Sequence, residues 1–302
     1  MRKLTQEKIR SALDNHQLPN TYEDDVVSFM LPIAKQLYKQ QKEQPLIVGI
    51  QGSQGSGKST SAAFLKLLLE FEFGLSVEVC SIDDFYLSRA ERQALAENIH
   101  PLLQTRGVPG THHTDSISRQ FTLFRSRKNL TLPQFDKSTD DPKPKTDWLT
   151  TDKPANILIL EGWCVGLKPQ TKECLKTAVN ELEKTEDPKG IWREYVNQKL
   201  VNEYSDIFKQ LNELIVLQAP SFDCVFEWRQ LQEQKLIKLL KAQNKSTDLT
   251  LGPAQIKRFI EHYQRLTEHA INTLEEHASF ILKLNADHRI TSLKSTYNEA
   301  SS

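Results

Sequence analysis

Apolar residues in this chain gather in short runs. Leu46-Ile47-Val48-Gly49-Ile50, Val77 to Ile82, Ile157 to Leu160, Leu214 to Leu217 and Phe280 to Leu284 are the clearest. Blocks of that length and continuity predict strands buried on both faces, as in a parallel sheet. Between them the period changes. Residues 1–44 carry Val26, Val27, Met30, Leu31, Ala34 and Leu37 at helical spacing, and Ser61 to Glu70 sets Phe64, Leu65 and Leu68 on one face. Strands alternating with helices predict an α/β fold in which helices cover both faces of a central parallel sheet.

Three segments interrupt that alternation. Residues 133–154 are rich in Pro, Asp and Lys and predict an ordered loop or surface insertion. Residues 168–212 are highly charged with helical patterning, as expected of a cap beside the sheet. Residues 228–276 form a long basic helical stretch broken at Gly252-Pro253, and its first part, about 228–262, is a candidate lid. The expected organisation is one domain over 1–302: an N-terminal helical segment, 1–44, and a core over 45–290.

Composition narrows the function. The 302 residues include 39 basic and 39 acidic side chains, a balance that argues against nucleic acid as partner. Four scattered cysteines lack metal-ligand spacing and read as reduced thiols of a cytoplasmic protein. Neither a signal-peptide pattern nor an apolar run of roughly 20 residues is present, so no membrane is expected as a partner.

The decisive chemistry follows the first block. Gly52, Ser53, Gln54, Gly55, Ser56, Gly57, Lys58 and Ser59 spell G-x-x-x-x-G-K-[ST], the phosphate-binding loop of nucleoside triphosphate enzymes, with Thr60 next. Such a loop, set between strand and helix, aims successive backbone N–H groups at phosphate oxygens, and the helix N-terminus adds partial positive charge. Lys58 is expected to neutralise β- and γ-phosphate charge, and Ser59 to place its hydroxyl on Mg²⁺.

Other candidates lie at the ends of later blocks. Asp83 and Asp84, in Ser81-Ile-Asp-Asp-Phe-Tyr86, follow the second block, at the edge where α/β sheets bind ligands; a carboxylate there can take a hydroxyl proton. Glu161, after Ile157 to Leu160, is placed to orient Mg²⁺ opposite Ser59. Thr105 to His113 forms a Gly/Pro-shaped loop presenting Arg106 and His112, with the guanidinium suited to a carboxylate or phosphate. The adjacent His112 and His113 have no metal-type partner spacing. Lys137, in Phe135-Asp-Lys137, can meet an anion. Arg229 and Arg258, with Lys235 and Lys257, can close over phosphates. An ordinary surface turn or solvated charged face is the competing account of each of the last three sites.

Taken together these residues resemble the D-glycerate 3-kinases, a group of phosphate-loop kinases related to uridine kinase, phosphoribulokinase and pantothenate kinase. The resemblance rests on Gly52 to Ser59, Asp83 to Tyr86, Arg106 to His112, Phe135 to Lys137, Glu161 to Gly166 and Gln218 to Asp223, with further likeness at Gly190 to Arg193 and Arg258 to Tyr263. It implies a P-loop NTPase-type three-layer fold and the conversion of ATP and D-glycerate to ADP and 3-phosphoglycerate. It also implies that Asp83, rather than Asp84, acts on the acceptor hydroxyl, with Tyr86, Arg106, His112 and Lys137 around the acceptor. The family pattern has Asp after the His of the Arg106 loop; here His113 stands there, with Asp115 nearby. Two other readings compete: a kinase for a nucleoside or sugar, and an ATP-binding regulatory module with little turnover.

Overall fold

The computed structural model describes residues 1–42, 44–242 and 252–297. Six strands form one sheet: β1 (Leu46–Gly52), β2 (Val77–Ser81), β3 (Ile157–Gly162), β4 (Glu213–Gln218), β5 (Phe280–Leu284) and β6 (Ile290–Ser295). Their spatial order is β6-β5-β4-β1-β3-β2. The first five run parallel, as the apolar blocks predict. β6 departs from the expectation: it returns antiparallel on β5 through a tight turn. Its sequence, Ile290 to Ser295, is mostly polar and exposed, as befits an edge strand, and so carries no apolar block.

Each central strand is buried on both sides. All seven residues of β1 and all six of β3 are shielded. Alternate residues feed two cores: Ile47, Leu158, Leu160 and Val216 on one face, Val48, Ile50, Ile157, Ile159 and Leu217 on the other. Helices α1 (Lys3–Asn15), α2 (Leu31–Gln41) and α3 (Lys58–Leu67) contribute to the second core. Phe64 of α3 is fully buried there, worth roughly 1.5–3 kcal/mol of transfer free energy. That packing fixes the helix whose first turn carries Lys58 and Ser59. α3 starts at Lys58, three residues before the sequence expectation, because Gly57 adopts a left-handed conformation (φ +85°) and turns the chain directly into the helix.

The opposite face carries α4 (Arg89–Asn98), α5 (Thr114–Arg125) and the charged cap, whose longest helix is α6 (Ile191–Lys199). The cap is a series of short helices rather than a continuous one. Residues 133–154 form a surface insertion that holds one two-stranded ladder and pairs Leu149–Thr150 with Thr131–Leu132 just before it. The stretch expected to supply a lid, about 228–262, falls on α7 (Phe222–Ala242) and the first part of α8 (Pro253–Thr273). Residues 243–251 of that region and the side chain of Lys235 lie outside the described residues. All four cysteines are unpaired, and no described helix is long and apolar enough to cross a membrane.

Candidate active site

Sheet register assembles the site. β3 lies between β1 and β2, with Ile50 opposite Glu161 and Glu161 opposite Ser81. The phosphate loop leaves β1, the Asp83 turn leaves β2, and Glu161 sits between them at the carboxyl edge. Residues about 80 to 110 positions apart in sequence thereby become neighbours.

The phosphate loop has the conformation its motif requires. Gly55 and Gly57 both have positive φ, and a Cβ on Gly52 would come within 2.3 Å of Ser56 Oγ. Ser53 and Ser56 have buried hydroxyls with no protein partner. Gln54 and Thr60 are half-buried on either side. Lys58 opens α3 half-buried, with no hydrogen-bond or ion-pair partner among the described residues. Its ammonium is close enough to favour the charged form of Asp83.

Ser59 Oγ donates to Glu161 Oε1 at 2.8 Å. Glu161 is buried, and its Oε2 has no partner among the described residues. A buried carboxylate oxygen left unmatched costs free energy unless something binds it. Hydroxyl and carboxylate are hard oxygen donors, the set Mg²⁺ uses together with nucleotide phosphates, so these residues fit that ion. No group of three or more His, Cys, Asp or Glu among the described residues is arranged as a metal cage; Mg²⁺ shared with phosphates does not need one.

Asp83 is held from both sides. Tyr86 donates its hydroxyl to Oδ1 at 2.8 Å, and Lys137 donates its ammonium to Oδ2 at 2.8 Å. Burial pushes the Asp83 carboxyl up, but Lys137, Lys58 and the two hydrogen bonds outweigh it and hold the group down at about 2. Asp84 faces differently. Its Oδ1 accepts the Phe135 N–H at 3.1 Å, and burial raises its carboxyl above the usual range. Asp84 therefore anchors the short strand Phe135–Asp136 that brings Lys137 to Asp83.

His112 is buried, stacked on Tyr86 at 4.6 Å, with Nδ1 2.6 Å from the Tyr204 hydroxyl. Burial pulls its pKa down to about 4, so the ring is neutral at physiological pH. Arg106 ion-pairs through Nη1 with Asp140, and its guanidinium lies over the Phe135 ring. The buried Arg92 also binds Asp140, at 2.8 Å. One carboxylate thus faces two guanidiniums. His113 points outward to Glu91 at 3.3 Å, and Asp115 is exposed in the first turn of α5. Neither joins the Asp83 cluster.

The lid residues are engaged elsewhere. Arg229 pairs with Glu233 at 2.8 Å and lies over Phe259. Arg258 makes two hydrogen bonds to Glu186 of the cap, 3.0 and 2.7 Å. Lys257 is exposed. Sequence reading missed Tyr204, which reaches His112 from 92 residues away, and His288, whose Nδ1 lies 2.8 Å from the Gly55 carbonyl. Neither sits in a recognisable motif, so only tertiary contact exposes them.

No protein-family model matches the chain. It is 33% identical over 244 residues to an uncharacterised kinase of Schizosaccharomyces pombe, covering 76% of this chain and 83% of that protein. A probable ATP-dependent kinase of Saccharomyces cerevisiae is 31% identical over 258 residues, covering 80% and 82%. The chloroplastic D-glycerate 3-kinase of Arabidopsis thaliana is 27% identical over 196 residues, covering 61% of this chain and 40% of that protein. Among solved structures, the D-glycerate 3-kinase of Cryptococcus neoformans superposes over 88% of this chain and 97% of its own with a TM-score of 0.71 and 23% identity, a likeness of fold. The phosphate loop, the carboxylates at the strand ends and the two yeast relatives agree: the chain belongs to the family of ATP-dependent phosphate-loop kinases.

Proposed function

We propose that this kinase phosphorylates D-glycerate to 3-phosphoglycerate. The observation that carries the reading is the ionised Asp83 at the end of β2, with Lys137 on one oxygen and Tyr86 on the other, beside an uncommitted Lys58. In this reading the ATP phosphates lie against the N–H groups of the loop and Lys58 offsets the charge on the β- and γ-phosphates. The acceptor hydroxyl oxygen bonds to the γ-phosphorus as the bond to the β-phosphate oxygen breaks, and Asp83 takes the hydroxyl proton. A carboxylate with a pKa of about 2 is a weak base. A loose phosphoryl-transfer transition state needs an ionised group in position to take the hydroxyl proton, but not a strong base. Ser59 and Glu161 are the residues that would hold Mg²⁺, which when bound would neutralise charge developing on the phosphates. Turnover is expected to vanish with a chelator and return with Mg²⁺ or Mn²⁺; activity surviving thorough chelation contradicts the assignment.

Recognition of the acceptor carboxylate is assigned to Arg106, supported by Lys137 and the neutral His112. Arg92 remains on Asp140 when Arg106 turns toward substrate, so Asp140 keeps a partner. A planar guanidinium gives two parallel hydrogen bonds to a carboxylate, which an ammonium cannot reproduce. Arg106→Lys is therefore expected to lower kcat/KM for glycerate by at least tenfold, about 1.4 kcal/mol, with KM for ATP little changed. Intact glycerate kinetics, or an effect on ATP alone, defeats the assignment. Unpaired cysteines support the cytoplasm as the compartment.

A second reading rests on one observation. A cavity of about 670 Å³, lined in part by Tyr86, Asp84, Arg119, Leu123 and Trp148, adjoins the Asp83 turn. That volume suits a drug-sized molecule more than a three-carbon acid and favours a bulkier hydroxylated acceptor. ADP release measured across hydroxy acids, nucleosides and sugars separates the two readings, and silence on all of them with ATP still bound points to a regulatory module.

A further inference from the structure

The phosphate loop is held from outside by a turn that its sequence motif does not include. β5 and β6 are joined through residues 285–289. His288 stands in this turn with left-handed backbone, φ +61°, a conformation that His tolerates better than most residues. Its Nδ1 lies 2.8 Å from the Gly55 carbonyl oxygen. A carbonyl oxygen only accepts, so the ring carries a proton on Nδ1 and donates it.

The turn is fixed independently on its other sides. The His288 ring stacks on Trp228, centroids 4.5 Å apart at 29°. Trp228 is buried, and its indole N–H donates to the Ala286 carbonyl at 2.7 Å. The Asn285 side chain accepts the N–H groups of Asp287 and Arg289. The Arg289 guanidinium grips both oxygens of Asp25, at 2.8 and 2.9 Å, and the Thr21 hydroxyl. Gly55 is part of the same assembly: a Cβ there would come within 2.8 Å of Trp228 Cβ.

We infer that His288 is a positioning residue for the nucleotide, acting through the Gly55 peptide. The peptide between Gly55 and Ser56 is tied at both ends: its N–H donates to the Ser53 carbonyl over a long 3.2 Å and its oxygen accepts from His288 at 2.8 Å, so loss of the shorter contact leaves this glycine-flanked peptide free to rotate. A rotated peptide aims a carbonyl oxygen, rather than N–H groups, toward the phosphates, and two negative dipole ends repel. With its oxygen held by a ring that is itself pinned by Trp228, the Gly55 peptide keeps one orientation before ATP arrives. Preorganisation of this kind removes part of the ordering cost of binding. Trp228 directly precedes Arg229 on α7, so the same contact joins the phosphate loop to the lid-bearing helix. The inference concerns ATP alone and does not depend on which acceptor is used.

Two variants isolate the hydrogen bond. Gly and Asn both accept the left-handed backbone and both lose the ring stack; only Asn offers a side-chain N–H. ATP binding is measured by calorimetry without acceptor, alongside steady-state kinetics with ATP and acceptor varied separately. His288→Gly is expected to weaken ATP binding and raise its KM by about three- to tenfold, the worth of one peptide hydrogen bond. KM for the acceptor should stay the same. His288→Asn should recover most of the loss. Equal defects in the two variants, unchanged ATP affinity in folded His288→Gly, or an equal rise in acceptor KM overturns the inference. The unmodified protein supplies a test that does not depend on either variant folding. Nitrogen-15 NMR of the His288 ring should show Nδ1 protonated, with a resonance that moves when a non-hydrolysable ATP analogue binds. An unprotonated Nδ1, or a resonance blind to the analogue, also overturns it.

Discussion

Asp83→Asn is expected to lower turnover by at least about a hundredfold while ATP affinity changes little, within the 10²–10⁴-fold range of a lost general base. Asn keeps the shape and can still accept from Tyr86, so the loss isolates the charge. Asp84→Asn should be milder, because an amide oxygen can replace the carboxylate that accepts the Phe135 N–H. Rapid-quench kinetics and ATP titration on both variants decide the matter; a larger defect in Asp84→Asn means the wrong carboxylate has been chosen. The pH dependence gives an independent check. Asp83 is depressed from its ordinary 3.8 to about 2. A depressed carboxyl is charged above its folded value, so its ion pair with Lys137 stabilises the fold fully above about pH 4 and is lost as pH falls through about 2. Any acid limb that Asp83 imposes on kcat/KM should therefore lie below pH 4. Lys137→Met removes the main charge opposing the burial, so the same limb should move toward neutral pH. A profile unmoved by Lys137→Met would show that Asp83 does not control it.

Lys58→Ala should reduce turnover by about 10²–10³-fold or more and leave melting essentially unchanged. Removing one preorganised electrostatic donor from a transferring group costs about that much. Lys58 is half-buried at the first position of α3 and has no ion-pair or hydrogen-bond partner among the described residues, so its removal breaks no hydrogen bond or ion pair of the fold. A folded Lys58→Ala protein with near-normal turnover refutes the role. A large fall in melting temperature would mean instead that the side chain carries packing.

Much of this was legible from the chain because local pattern and local chemistry coincide. Five apolar blocks became five parallel strands, and the central β1 and β3, covered on both faces, hide every side chain. The loop from Gly52 to Ser59 declared itself because glycine is needed where φ is positive, and Lys58 and Ser59 sit at fixed offsets from those turns. The failures are equally physical. β6 went unread because an edge strand with polar, exposed residues carries no period to detect. Arg106 read as a free guanidinium because nothing near it in sequence suggests Asp140, 34 residues on, as its partner.

The sequence by itself determined the strand and helix pattern, the phosphate loop and the identity of the acids at the strand ends, for these depend on residue type and short spacing. Tertiary structure decided what those acids can do. Register across β1, β3 and β2 set Glu161 between Ser59 and the Asp83 turn. The insertion at 133–154 delivered Lys137 to Asp83 and lowered its pKa, while Asp84, its neighbour in sequence, was turned to a backbone N–H and raised. The turn after β5 put His288 on the Gly55 carbonyl from 233 residues away. Burial and charge act through space, and adjacency along the chain does not fix either.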